Sequence, residues 1–196
     1  MGLTTLVVGF LVDLVAVGGY LGVFALMALE SALIPVPSEA VMPFAGFLVS
    51  RGVFGFWEAV AAGSLGNLAG SLAAYALGAR YGRPLLERYG RYLLIGEEEL
   101  SRVEEFFARH GDAAVFFGRL LPAVRTVISF PAGMARVPLA RFSLLTFAGS
   151  VPWNAALTYA GVVLGENWVL VEEMGGYLDV AVLAVLALLA YLFLRR

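Results

Sequence analysis

The sequence predicts an all-α integral membrane protein: an inverted repeat of two re-entrant helical hairpins, each followed by a transmembrane helix, plus a C-terminal transmembrane helix. Three observations carry this expectation. Of the 196 residues, 61% are hydrophobic and 14% charged, and mean hydropathy is +0.87. A water-soluble domain has about 25% charged and about 45–50% apolar residues, so this chain has more apolar surface than one aqueous core can bury. Second, several apolar stretches approach the length of a bilayer core, and two of them are broken by prolines and charges. Third, a pattern of Pro, Ala, Gly, Ser and Asn recurs at an offset of about 86 positions, as from Gly63 to Gly149.

A spanning helix needs about 20 apolar residues. Residues 3–18 are short for this, because Asp13 and the Gly18-Gly19 pair interrupt them; lying at the interface or crossing with tilt are both open. The start lacks a basic n-region and a small-residue cleavage site and reads as mature chain, not a signal peptide. Residues 20–50 are long and apolar but contain Glu30, Pro35, Pro37, Glu39 and Pro43. Proline breaks a helix, and non-helical backbone at membrane depth survives only where protein or a watery cavity covers it. The stretch is read as a re-entrant hairpin, with a Pro-kinked spanning helix as the alternative. Residues 57–79 hold one charge, Glu58, and read as a spanning helix.

Residues 97–110 place Leu100, Val103, Phe106 and Phe107 at helical spacing, with Glu98/Arg102 and Glu105/Arg109 as i,i+4 pairs. They read as an amphipathic surface helix closed by Gly111. Residues 113–134 contain Arg119, Pro122, Arg125 and Pro131 and read as the second hairpin. Residues 142–165 and 177–194 read as spanning helices. One membrane domain therefore covers 1–196: repeat 1 over about 1–80, an amphipathic cytoplasmic segment over 81–111, repeat 2 over about 97–166, then the last helix.

Every basic residue is an arginine, and they gather at 80–109, 136–141 and the C-terminus, whereas 166–176 has three glutamates and no arginine. The positive-inside rule puts the arginine-rich segments, the C-terminus among them, in the cytoplasm of a multi-pass protein. The first hairpin then enters from outside and the second from the cytoplasm, which makes the repeat an inverted one. Pro35–Gly46 and Pro122–Gly133 match in length, each with a proline just before Ala-Gly. Ala62-Gly63-Ser64 with Asn67 matches Ala148-Gly149-Ser150 with Asn154, while Tyr75 and Gly78 find counterparts in Tyr159 and Gly165.

The chemistry sits in the hairpins. The first carries only the acids Glu30 and Glu39, the second only the bases Arg119 and Arg125. A charge at the bilayer centre costs about 2.5–3.5 kcal/mol even on lenient insertion scales, so four of them belong where the hairpin tips meet around a hydrated chamber. Guanidinium forks match phosphate, making Arg119 and Arg125 the site for an anionic headgroup. Glu30 and Glu39, held between burial and a nearby cation, suit loading and release of a proton. The competing reading is permanent acid–base pairing that only locks the hairpins. Ser38, Thr126 and Ser129 either bind a headgroup or recap broken helices. Asn67, Trp153 and Asn154 read as glue between helices, and Gly63, Gly66 and Gly70 as close packing. His110, the only histidine, reads as a helix-end residue.

Net charge is −2 and no cysteine occurs, so nothing points to nucleic acid, disulfides or thiolate chemistry; neither a zinc constellation nor a Walker-type phosphate loop appears. No cofactor is expected. The expected partners are an anionic lipid, protons and membrane lipids, and a homo-oligomer is compatible with this. A proton-linked small-ion or drug exporter would leave the arginines unexplained, and a histidine-type lipid phosphatase would need a second histidine.

Glu30–Glu39, E-S-A-L-I-P-V-P-S-E, followed by M-P-F-A-G, resembles the first signature of the DedA membrane family, also called the SNARE-associated or VTT domain. Phe116–Gly133, F-F-G-R-L-L-P-A-V-R-T-V-I-S-F-P-A-G, resembles the second. The likeness covers roughly residues 15–165. It implies a transporter of the bacterial inner membrane that returns undecaprenyl phosphate to the cytoplasmic face. It also implies that the family's functional acids are Glu30 and Glu39 and its functional arginines Arg119 and Arg125. Some members carry aspartate in a P-G-D form of the first motif, where this chain has Pro37-Ser38-Glu39.

Overall fold

The computed structural model describes residues 3–34, 36–93 and 97–165. Among these described residues seven helices follow one another: α1 Leu3–Ser31, α2 Ser38–Ser50, α3 Phe56–Leu93, α4 Glu97–Gly118, α5 Pro122–Arg125, α6 Ser129–Met134 and α7 Leu139–Leu164. The spanning helix expected over 177–194 lies outside the described residues.

The interruptions read from the sequence are real breaks in helix. Gly19 leaves helical geometry, with φ 58° and ψ −140°. The chain doubles back there, so that a Cβ at Gly22 would collide with the Leu14 carbonyl. After Ser31 the chain stops in a Schellman turn. Leu33 takes the left-handed φ of 71°, Ile34 N–H reaches the Leu29 carbonyl at 3.1 Å, and Leu33 N–H reaches that of Glu30 at 3.2 Å. The prolines that follow cannot continue the helix, and α2 brings the chain back.

Both arms of this unit run beside the first half of α3. At the base, Tyr20 Oη accepts a hydrogen bond from Gly55 N–H at 2.8 Å, and its ring packs on Phe54. At the tip, Ser31 Oγ accepts from Asn67 Nδ2 at 2.9 Å. The arm thus reaches about 12 residues along α3, or about 18 Å of helix, which is short of a full bilayer core.

The second half is built from α4 to α7. α4 bends at His110 (φ −131°, ψ 15°) and runs on to Gly118, so it does not close at Gly111 as the amphipathic reading expected. The apolar run from Ala113 supplies a buried face of its own, with Val115 fully buried, and the helix therefore resumes after the bend. Asp112 pairs with Arg141 near the start of α7 at 3.6 Å, while Arg119, just past the end of α4, lies against Gly149 midway along α7. α5 and α6 return the chain.

The halves are laced together by exchange. The return helix α2 packs parallel to α7, where a Cβ on Gly46 would strike the Thr158 carbonyl, one on Gly161 the Pro43 carbonyl and one on Gly165 the Ser50 side chain. The return helix α6 packs on α3 in the same way, Gly133 facing the Tyr75 carbonyl and Gly78 the Phe130 carbonyl. Gly66 and Gly70 let α1 approach α3 at Phe24 and Ala28, so these glycines serve close packing. By packing role the partner of Gly78 is Gly161, one turn from the Gly165 that sequence matching pairs with it.

Among the described residues, Asp13–Ser31 and Phe56–Gly82 have the length and apolar composition to cross a bilayer, the first counted across its break at Gly19. α7 has 26 residues, but Thr146, Ser150, Asn154 and Thr158 form a buried polar stripe that keeps it below that apolarity. The outside is the greasy surface: Val17 is 90% exposed and Leu21 78%, whereas Glu30, Arg119 and Arg125 are at most 5% exposed. This inverts the usual distribution and fits a lipid solvent.

Gly161→Leu should cost more than the about 1–3 kcal/mol typical of overpacking, because backbone must move, and should lower the melting temperature in detergent sharply. Ala156→Leu, on the exposed face of the same helix, should leave the melt within about 0.5 kcal/mol of the parent.

Candidate functional site

The end of α1, the segment from the end of α4 to the start of α6, and the inner faces of α3 and α7 meet around a buried polar cluster. It lies between two apolar clusters, one around Met27 and Met42 and one around Phe142 and Val115. α1 delivers Glu30 and Ser31 at its last turn. α3 presents Ser64, Asn67 and Ser71 on one face, three and four residues apart. α7 presents Asn154. The turn after α4 brings in Arg119, α5 brings in Arg125, and α6 opens with Ser129.

Arg125 forms a buried ion pair with Glu30, and its guanidinium also lies over the Trp153 ring, 5.2 Å from the centroid. Asn67 Nδ2 lies 3.3 Å from Glu30 Oε2 and donates to Ser31 Oγ at 2.9 Å. Its Oδ1 accepts from Asn154 Nδ2 at 2.9 Å, and that amide also reaches Ser64 Oγ at 3.1 Å. One carboxylate, two amides and the hydroxyls of Ser31 and Ser64 thus join both halves of the chain.

Arg119 is held differently. It is 3% exposed and donates to Ser129 Oγ at 2.8 Å and to Ser71 Oγ. Both partners are neutral. No carboxylate pairs with it among the described residues, and its buried Nε–H has no acceptor. The centre therefore holds two guanidiniums against one buried carboxylate.

The expected residues divide accordingly. Glu30, Arg119, Arg125 and Ser129 are brought together. Ser38 is buried and faces Glu30 without a hydrogen bond of full geometry. Thr126 is half-buried in the turn between α5 and α6. Glu39 is exposed, so four mutually buried charges are not what forms: Glu39 sits in the first turn of α2, where the helix N-terminus favours an acid, and its side chain points out of the packed centre. Asn67 and Asn154 act as glue, while Trp153 also covers Arg125. Ser71 escaped sequence reasoning, although its place four residues after Asn67 puts it on the same face of α3. His110 is exposed and stacks on Phe106 at 5.5 Å, away from the centre.

What such a centre does chemically follows from its charges. The Glu30–Arg125 pair is neutral, whereas Arg119 has spare donors and an unmatched charge and so favours an anion.

A family model described as the VTT domain matches residues 36–163. An uncharacterized membrane protein of Bacillus subtilis, YkoX, is 43% identical over 182 residues, covering 90% of this chain and 79% of its own. Undecaprenyl phosphate transporter A of B. subtilis is 36% identical over 180 residues, covering 91% and 89%. An alkaline phosphatase-like protein of Lactococcus lactis is 34% identical over 181 residues, covering 90% and 83%. No solved structure matches the chain.

Glu30→Gln should destabilise the fold by about 3–5 kcal/mol, since it strands Arg125 in the core, and Glu30→Gln with Arg125→Met should recover much of that loss. Unfolding in detergent by denaturant checks this; two additive losses would show that the pair is not coupled.

Proposed function

The chain belongs to the VTT-domain (DedA) family of membrane proteins, and on that basis we propose that it translocates a lipid phosphate, with undecaprenyl phosphate or a related anionic lipid as its substrate, across the bacterial inner membrane. The observation that carries this reading is Arg119: a buried cation held by two neutral hydroxyls, with a free Nε–H and no carboxylate partner among the described residues. An unpaired charge in a low-dielectric interior is costly, and a phosphate headgroup offers both the missing charge and the acceptors. The relative named undecaprenyl phosphate transporter A supports the choice of lipid.

In this reading α1–α2 and α4–α6 are re-entrant hairpins of an inverted repeat, entering the multi-pass protein from opposite sides. The exchange packing of α2 on α7 and α6 on α3 supports it. Arg119 takes the phosphate, Ser129 and Ser71 steer it, and Ser38 and Thr126 line its approach. Protonation of Glu30 frees Arg125 to join Arg119 on the headgroup, and Glu39, on the exposed side, exchanges the proton. Proton coupling follows from that sequence, because binding of the lipid and loading of Glu30 favour one another.

A phosphatase, which the name of the L. lactis relative raises, would need a nucleophile with a base beside it. Ser71 and Ser129 instead accept from Arg119, and Glu30 is committed to Arg125.

Reconstitution into liposomes with labelled undecaprenyl phosphate tests the proposal. Arg119→Ala should reduce translocation by about 10–100-fold, the worth of hydrogen bonds to a charged group, with the protein still folded and inserted; Arg119→Lys should retain part of the activity. Unchanged translocation in Arg119→Ala and Arg125→Ala would overturn the assignment, as would release of inorganic phosphate. Glu39→Gln should remove the response to a pH gradient while leaving headgroup binding within about twofold.

A further inference from the structure

A second feature lies at the other end of α4. The bend at His110 and the turn from α6 into α7 enclose an open cleft of about 490 Å³. Three arginines from three elements line it: Arg109, Arg136 and Arg141. Two have carboxylate partners, Arg109 with Glu105 at 2.6 Å and Arg141 with Asp112 at 3.6 Å. Arg136 has none among the described residues. The rest of the lining includes Phe107, Val137 and Pro138 with Asp112, so basic and apolar groups share the cleft wall. Its volume falls within the about 300–1,000 Å³ of small-molecule sites.

The backbone at Arg136 adds an independent observation. Arg136 has φ 52°, in the left-handed region. It closes α6 in a Schellman turn, with its N–H to the Gly133 carbonyl at 3.0 Å and Val137 N–H to that of Ala132 at 3.1 Å. The other return helix, α2, ends in the same turn, but there Gly52 holds the left-handed position (φ 72°), with Val53 N–H to the Leu48 carbonyl at 2.9 Å. Glycine suits this position and arginine does not. The end of α6 thus accepts a backbone cost that the end of α2 avoids, a cost also met at Leu33 after α1, and at Arg136 it sets a guanidinium at the lip of the cleft.

From the unpaired arginine, the mixed lining and the strained turn, we infer that this cleft is a second binding site for the phosphate of a membrane lipid, distinct from the central one. Basic pockets beside membrane helices take anionic headgroups in this manner, and Arg suits phosphate by its fork geometry. α4 links the two sites: from Asp112 to Arg119 is about two turns, or about 10 Å of helix. A lipid whose headgroup rests in the cleft is therefore one short step from Arg119, which makes the cleft a staging site for whatever the centre carries. The inference stands on the cleft itself and does not require the central assignment.

The chain has no cysteine, so Ala113→Cys places a single thiol on the exposed lining. Its maleimide labelling would be followed in full-length protein in detergent, in an Arg119→Gln background that disables the central site. Dioctanoyl phosphatidic acid should slow labelling by about tenfold, whereas inorganic phosphate or dioctanoylglycerol at the same concentration should leave it within about twofold. Arg136→Gly should abolish the protection while melting at or above the parent, because glycine relieves the turn. Arg136→Gln, which keeps the backbone cost, should abolish it too. Absence of protection by phosphatidic acid overturns the site, and so does its survival in both Arg136 variants. Equal protection by inorganic phosphate overturns a lipid as the ligand, and equal protection by dioctanoylglycerol overturns the phosphate. Protection by phosphatidic acid here, with no translocation by the native chain, would sink the transport reading and leave this site standing.

Discussion

A buried guanidinium with no carboxylate partner among the described residues is the constraint around which this protein is organised. Arg125 is neutralised by Glu30, and the pair is locked in place by Asn67 and by the Trp153 ring. Among the described residues, Arg119 finds only the oxygens of Ser71 and Ser129. In water such an imbalance would be trivial; in an interior surrounded by acyl chains it is among the most costly features a fold can contain. The rest of the architecture keeps that charge away from lipid. Apolar side chains cover the outside, and the helices that meet at the centre turn their small and polar faces inward.

Shielding the charge requires helices to approach closely, and glycine makes this possible. Gly46, Gly133, Gly161 and Gly78 each sit where a methyl group would strike a carbonyl of the facing helix. Because α2 rests on α7 and α6 on α3, neither half completes its own packing. The same lacing brings the end of α1 and helix α5 together, so Glu30 from the first half can meet Arg125 from the second. Side-chain amides span the same junction, Asn154 donating to Asn67. Polar groups thus fix the register between halves, and close backbone contact supplies the dispersion attraction that holds it, as lipid offers no hydrophobic drive between helices.

Much of this arrangement was legible in the residues. The proline clusters and the Gly18-Gly19 pair marked the breaks, since a missing donor or a missing Cβ acts locally whatever the surroundings. The acids in one broken stretch and the bases in the other pointed to a shared centre, because ionised groups at membrane depth need one another or a polar cavity. Less legible were features set by facing surfaces. The bend at His110 instead of a stop at Gly111 depended on the buried face that follows it. The left-handed Arg136 depended on the turn that joins α6 to α7. Ser71 mattered only once Arg119 was known to lie opposite.

By itself, the sequence determined that the chain belongs in a membrane, where its helices break, and which side chains are too polar to meet lipid, because composition and proline chemistry operate residue by residue. The tertiary structure alone decided which of those side chains face one another. It paired Glu30 with Arg125, left Arg119 with neutral partners, and turned Glu39 outward. Pairing is a matter of distance in space, and that distance was set by how α2 and α6 cross to the opposite half, a packing choice that no local stretch of the chain encodes.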